Sequence, residues 1–199
     1  MGRRSTDKKR KALTERSKVW LRDLLSKLQD KDLSKLTLDE HAAMIGKSKS
    51  TIYSYFSTKE EIYISLVHLV LDDMASLGSV EVEEEDMEAA LKMVMTRISK
   101  GIEGISIDFL EQIRSEFPQV WAIIEEFIGM VLALLEGIYK EGMKQGSFRH
   151  YNISLLSALD NHFVMNIMTN AAVFSRQGMS LDDLVKEYLE LRLAALRPI

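Results

Sequence analysis

Residues 118–144 constrain this chain more than any other stretch. They open on Pro118 and run to Lys144 without a second proline. Val120, Ile123, Ile124, Phe127, Ile128, Val131, Leu132, Leu134, Leu135 and Ile138 fall around most of the circumference of a helix. A helix apolar on nearly every side must be covered on nearly every side, so the spacing predicts a long, centrally buried helix wrapped by others. Pro118 suits its first turn, where no N–H is needed.

The remaining segments carry the same period. Leu13, Trp20, Leu21, Leu24, Leu25 and Leu28 share one stripe of a first helix over about residues 10–28. "TLDE" then reads as a capping box, Thr37 with Glu40, opening a short second helix that stops at Gly46. Ser48 can cap a third helix reaching Phe56, and Thr58 a fourth with Ile62, Leu66, Leu69, Val70 and Leu77 on one face. The acidic "EVEEEDME" suits the start of a fifth, because carboxylates favour the positive end of a helix. A short sixth covers about residues 106–115, an eighth residues 153–176, and "SLDD" at Ser180 caps a ninth that ends before Pro198. No stretch alternates as a strand does. The prediction is an all-α fold of about nine helices.

Composition narrows the function. No cysteine is present, which removes disulfides, thiol catalysis and thiolate metal sites together. The apolar runs are broken by charges short of the about 20 residues a membrane span needs, and no apolar segment follows the basic N-terminus as in a secretory signal. A cytoplasmic protein is expected. The histidines, at 41, 68, 150 and 162, show no HExxH, paired-ligand or triad spacing, and no glycine-rich phosphate loop occurs. No enzyme, catalytic residue, metal or cofactor is expected. Charge is divided: residues 1–60 hold 15 Lys/Arg against 8 Asp/Glu, residues 61–199 hold 11 against 22. A basic segment on an acidic body suits a chain presenting one end to a polyanion, although a solvated tail, "RRSTDKKRK", gives the same excess.

Residues 37–56 place a capped helix, a glycine turn and a second capped helix in succession, the layout of a helix-turn-helix whose second helix enters a major groove. In that second helix Ile52 and Phe56 share an inward stripe, Ser50 and Ser54 a polar face, with Lys49 and Tyr53 between. Hydroxyls and one lysine can approach bases and phosphates without a bulky clash. Lys59, in the first turn of the next helix, sits where an external phosphate would balance it. Half-buried core tyrosines and solvated serines would account for the same spacing.

"TLDEHAAMIGKSKSTIYSYFSTKEEIYISLV" resembles the DNA-binding signature of the TetR family of bacterial transcriptional regulators. Thr37, Ala42, Gly46, Ser48, Lys49, Thr51, Ile52, Tyr53, Tyr55, Phe56, Lys59 and Glu60 match its pattern, over about a quarter of the chain. The resemblance implies Lys49, Ser50 and Ser54 near bases, and Thr37, Ser48, Thr51, Tyr53, Tyr55 and Lys59 on phosphates. Lys47, where the family has a hydrophobic turn residue, joins this DNA-facing set. Asp32 replaces a common glycine, Leu28 a phenylalanine, and His41 an aliphatic residue; a hydrogen-bonded packing role is expected of His41 rather than a switch. The tail residues Arg3, Arg4, Lys8, Lys9, Arg10 and Lys11 either track phosphates or remain solvated.

The resemblance also implies a division into residues 1–60, which bind DNA, and residues 61–199, which bind an effector and dimerise. Helix nine carries Leu181, Leu184, Val185, Tyr188, Leu189, Leu191, Leu193 and Leu196, so the last two helices are expected to pair with those of a second copy in an isologous bundle. A small apolar or amphipathic effector is expected among Phe109, Trp121, Phe127, Tyr139, His162, Phe163 and Asn166, with Asn170 extending the polar stripe of His162 and Asn166. The implied function is a ligand-responsive repressor on a near-palindromic duplex. The alternative is a helical ligand-sensing or interaction protein that keeps the fold without binding an operator.

Overall fold

The computed structural model describes residues 10–76, 86–169 and 171–198. The expected helices are present: α1 (Glu15–Leu28), α2 (Leu38–Met44), α3 (Lys49–Tyr55), α4 (Lys59–Ser76), α5 (Met87–Gly101), α6 (Ile107–Glu116), α7 (Pro118–Gln145), α8 (Ile153–Thr169), α9 (Ala171–Arg176) and α10 (Leu181–Leu196). The eighth predicted helix is described as α8 and α9 on either side of residue 170. Among the described residues no strand occurs, and no helix is long and apolar enough to cross a membrane. Arg3, Arg4, Lys8, Lys9, Leu77, Asn170 and most of the acidic run lie outside the described residues.

Side chains bonding nearby backbone set most boundaries. The Glu40 amide donates to Thr37 Oγ1 (3.3 Å) and the Thr37 amide to Glu40 Oε2 (2.7 Å), closing the box that starts α2. The Thr51 amide donates to Ser48 Oγ (3.2 Å) at α3, and the Glu61 amide to Thr58 Oγ1 (3.2 Å) at α4. Gly46 turns the chain between α2 and α3 at φ +62°, where a Cβ would be strained. Asp32, replacing the family's glycine, needs no such freedom, since no described non-glycine residue has positive φ. It instead accepts from Ser34 Oγ (2.6 Å), and the Lys35 ammonium 2.6 Å away holds its pKa down to about 2.

Two expectations are corrected. Helix α1 begins at Glu15, not near residue 10, because Thr14 and Ser17 form a capping box of their own. Helix α7 is not covered all round. It buries Val120 and Trp121 at one end and Leu135, Ile138, Tyr139 and Met143 at the other, while Met130 and Leu134 in the middle are exposed.

The core continues from the small N-terminal helices into the larger part. Trp20, Leu24, Ile52 and Tyr63 belong to one buried cluster with Ile113, Phe117, Val120 and Leu181. Helices α5, α7, α8 and α10 enclose a second around Leu91, Tyr139, Phe148 and Leu193. Most of the apolar excess of α10 is spent here: Leu181, Leu184, Val185, Leu189, Leu193 and Leu196 are buried within one chain, and Leu191 is exposed.

Candidate nucleic-acid interface

Helix α3 is held by few anchors. Of its seven residues only Ile52 is fully buried, with Phe56 just beyond its end. Ser48, Lys49, Ser50 and Tyr53 are exposed, the tyrosine at 44%; Lys47, Thr51, Ser54 and Tyr55 are partly covered. The outward face therefore carries hydroxyl, ammonium and phenol tips. Ser48 Oγ contacts Ser50 Oγ (2.9 Å) and Thr51 Oγ1 (2.8 Å), and Ser54 Oγ donates to the Thr51 carbonyl (2.7 Å). The Tyr55 ring lies edge-on to Trp20 at 5.8 Å. Thr37 is exposed at the start of α2, its hydroxyl donating to Glu40 Oε2 (2.8 Å).

Three cations of this region already have protein partners. Lys49 pairs with Asp39 of α2, which raises the lysine pKa; the other Asp39 oxygen is buried and has no partner among the described residues. The Lys59 ammonium donates to the carbonyls of Leu33 (3.0 Å) and Ser34 (2.6 Å) and lies 5.4 Å from the Phe117 ring centre. Arg10 was visible in the sequence only as part of a basic tail. Its guanidinium donates to the Tyr53 carbonyl and, through Nε, to Ser57 Oγ (2.9 Å), while the Lys11 amide donates to the Ser54 carbonyl (3.0 Å). Residues 10 and 11 thus strap the C-terminal end of α3, occupying carbonyls that a helix terminus leaves unpaired.

His41, on the inner face of α2, is fully buried. A carbonyl only accepts, so Nδ1–H donates to the Thr37 carbonyl (2.6 Å), leaving Nε2 to accept from the Tyr63 hydroxyl (3.1 Å). Burial lowers its pKa, with Lys59 assisting and the Thr37 bond and Glu40 opposing. The unfolded histidine titrates near 6.5. As pH falls below that value the unfolded chain takes up a proton the fold still refuses, so stability declines until the folded pKa is passed. The melting temperature is expected to fall as pH drops below about 6.5, with a shallower fall in His41→Leu, read by thermal melts at several pH values.

No protein-family model matches the chain. A curated relative, the uncharacterized helix-turn-helix-type transcriptional regulator YvaF of Bacillus subtilis (strain 168), is 23% identical over 121 residues. That match covers 60% of this chain and 64% of the relative, so the chain spans under two thirds of its length. Among solved structures, a TetR-family transcriptional regulator from Marinobacter aquaeolei VT8 superposes with a TM-score of 0.71 at 18% identity, covering 94% of this chain and 93% of the other. The TetR-family regulator PfmR of Thermus thermophilus gives 0.66 at 22% identity, covering 90% and 99%. The chain has the TetR-family fold.

Within the TetR-family fold, a cavity of about 170 Å³ lies behind the helix-turn-helix. Its walls come from α1, α4, α5, α6, α7, α8 and α10, and α4 supplies Leu66, Val67, Val70, Leu71 and Met74. Of the expected effector residues, Phe109, Phe127 and Phe163 line it. Trp121, Tyr139, His162 and Asn166 do not. The Trp121 ring is buried and donates to Glu125 (2.7 Å); Tyr139 donates to Asp160 (2.9 Å); His162 is exposed; and Asn166 Nδ2 donates to the His162 carbonyl (2.8 Å). Periodicity showed that α8 has a polar stripe but not which way it faces. Sequence reasoning also missed Asp160 and Arg192. Asp160 accepts from Arg192 Nε (2.8 Å), Tyr188 (2.5 Å) and Tyr139, while Arg192 also donates to the Leu156 carbonyl (2.9 Å).

Proposed function

We propose that this protein is a DNA-binding transcriptional regulator that docks on a near-palindromic operator as a homodimer and answers to a small effector. The observation that carries this is the posture of α3: one buried isoleucine fixes it, and Lys49, Ser50 and Tyr53 point outward together. Residues 1–60 act as the DNA-facing unit of a cytoplasmic protein, residues 61–199 as the effector and dimer unit. Two copies of α3, about 34 Å apart, would enter successive major grooves. The fold it shares with TetR-family regulators, and the likeness to YvaF, support the assignment. Exposed Leu155 and Leu159 on α8 and Leu191 on α10 offer apolar surface for a second copy. The cavity abuts α4, the helix that follows the helix-turn-helix directly, so an occupant can alter the spacing of the two copies of α3.

The alternative, a ligand-sensing protein that no longer binds DNA, draws on Lys49 and Lys59 being paired within the protein. Mobility shift against the DNA flanking its own gene, followed by selection from random duplexes, separates the two. A regulator yields an enriched palindrome, and Lys49→Ala and Tyr53→Phe each weaken binding about 5- to 150-fold, as for contacts worth about 1–3 kcal/mol. Absence of any enriched duplex would favour the alternative.

A further inference from the structure

The walls of the cavity say which chemistry fits inside it. The described lining residues are aliphatic or aromatic apart from Asp160 and Tyr188, and those two are committed to each other and to their neighbours. One Asp160 oxygen accepts from Arg192 and Tyr188, the other from Tyr139; the Tyr188 proton is used in that bond. Stacked on Phe163 at 3.7 Å, Tyr188 has one ring face occupied as well. A water molecule needs two to four polar partners to settle in a cavity, so one with none to spare stays dry. An incoming carboxylate would find a second carboxylate and, among the described lining residues, no free cation. An incoming ammonium would meet only Asp160, which is 2% exposed and already paired with Arg192, so most of the cost of stripping its water goes unrepaid. An uncharged apolar molecule meets neither obstacle and gains dispersion contacts with the walls. A cavity of roughly 150 Å³ takes benzene, so about 170 Å³ suits one ring carrying a short alkyl chain.

We propose that this cavity binds a small uncharged hydrocarbon-like molecule and rejects carboxylate and ammonium analogues of the same skeleton. The lining includes Leu25 of α1 as well as Leu66 and Val67 of α4, so the occupant presses on the helices that support α2 and α3. That this occupant is the effector rests on the regulatory function proposed above; the selectivity of the cavity does not.

The test titrates the whole protein at pH 7 with n-butylbenzene, 4-phenylbutanoate and 4-phenylbutylamine by calorimetry, with the methionine methyls followed by NMR. Saturable one-to-one binding of butylbenzene is expected, with both ions at least a hundredfold weaker. The methyls of Met74 and Met95, which line the cavity, shift, and that of exposed Met130 does not. Val70→Phe, which narrows the cavity, abolishes binding; if that variant fails to fold, the methyl shifts alone decide. Equal or tighter binding of either ion overturns the proposal, as do unmoved Met74 and Met95 methyls at the solubility limit of butylbenzene. Duplex binding is read in parallel. A protein that takes up butylbenzene but ignores every duplex keeps the cavity assignment and loses the regulatory one. The opposite pair of results does the reverse.

Discussion

Asp160→Ala is expected to destabilise the fold by about 3–5 kcal/mol, the range for removing one member of a buried ion pair. Asp160 is 2% exposed and Arg192 8%. Without the carboxylate, the guanidinium stays in the interior with only the Leu156 carbonyl and the face of the Tyr188 ring, 5.1 Å away, beside it, and two tyrosine hydroxyls lose their acceptor. For a chain of this length the melting temperature should drop by roughly 6–20 °C. Converting both charges to apolar residues, Asp160→Leu with Arg192→Met, should recover much of the loss, because desolvating the pair is itself costly. Recovery stays incomplete, since Tyr139, 1% exposed, still lacks an acceptor. Urea unfolding of both variants and the parent checks this; a loss under about 1 kcal/mol for Asp160→Ala would place the pair in solvent, where such pairs are weak.

Ile52→Ala carries the second large effect. Ile52 is wholly buried in the cluster that holds Trp20, Leu24 and Phe56. Truncation should cost about 2–5 kcal/mol, against about 0.5–1.5 for Ile52→Val. Because so little else secures α3, the alanine variant should also lose duplex affinity while keeping every outward side chain. Lys49→Ala should do the opposite, weakening duplex binding with little change in stability. If Ile52→Ala unfolds like the parent in urea, the orientation assigned to α3 is wrong.

The features legible in the sequence are those closed by residues close together along it. Caps at Thr37, Ser48, Thr58 and Ser180 each bond within three or four residues, so their spacing announces them. The start of α1 escaped because Ser17 stands where a capping box usually has Glu or Gln. Contacts between distant residues left no local trace. Asp160 and Arg192 are 32 positions apart, Lys59 and the Leu33 carbonyl 26, Arg10 and Ser57 47. For α7 the apolar pattern gave the helix but not its partition, since residues facing a cavity, a packed core and the outside are equally apolar. His41 read correctly as a hydrogen-bonded packing residue, while its partner Tyr63 became visible only in the fold.

The salt dependence of duplex binding tests the central claim most directly. If the exposed face of α3 and the strap at Arg10 meet phosphates, the logarithm of the association constant falls linearly with the logarithm of salt concentration. Each phosphate neutralised contributes a slope of about −0.9, and Lys49→Ala should flatten the line by about that amount if its ammonium leaves Asp39 for a phosphate. A binding constant that ignores salt, or a slope unchanged by Lys49→Ala, Tyr53→Phe and Arg10→Ala together, would contradict the placement of DNA against this face.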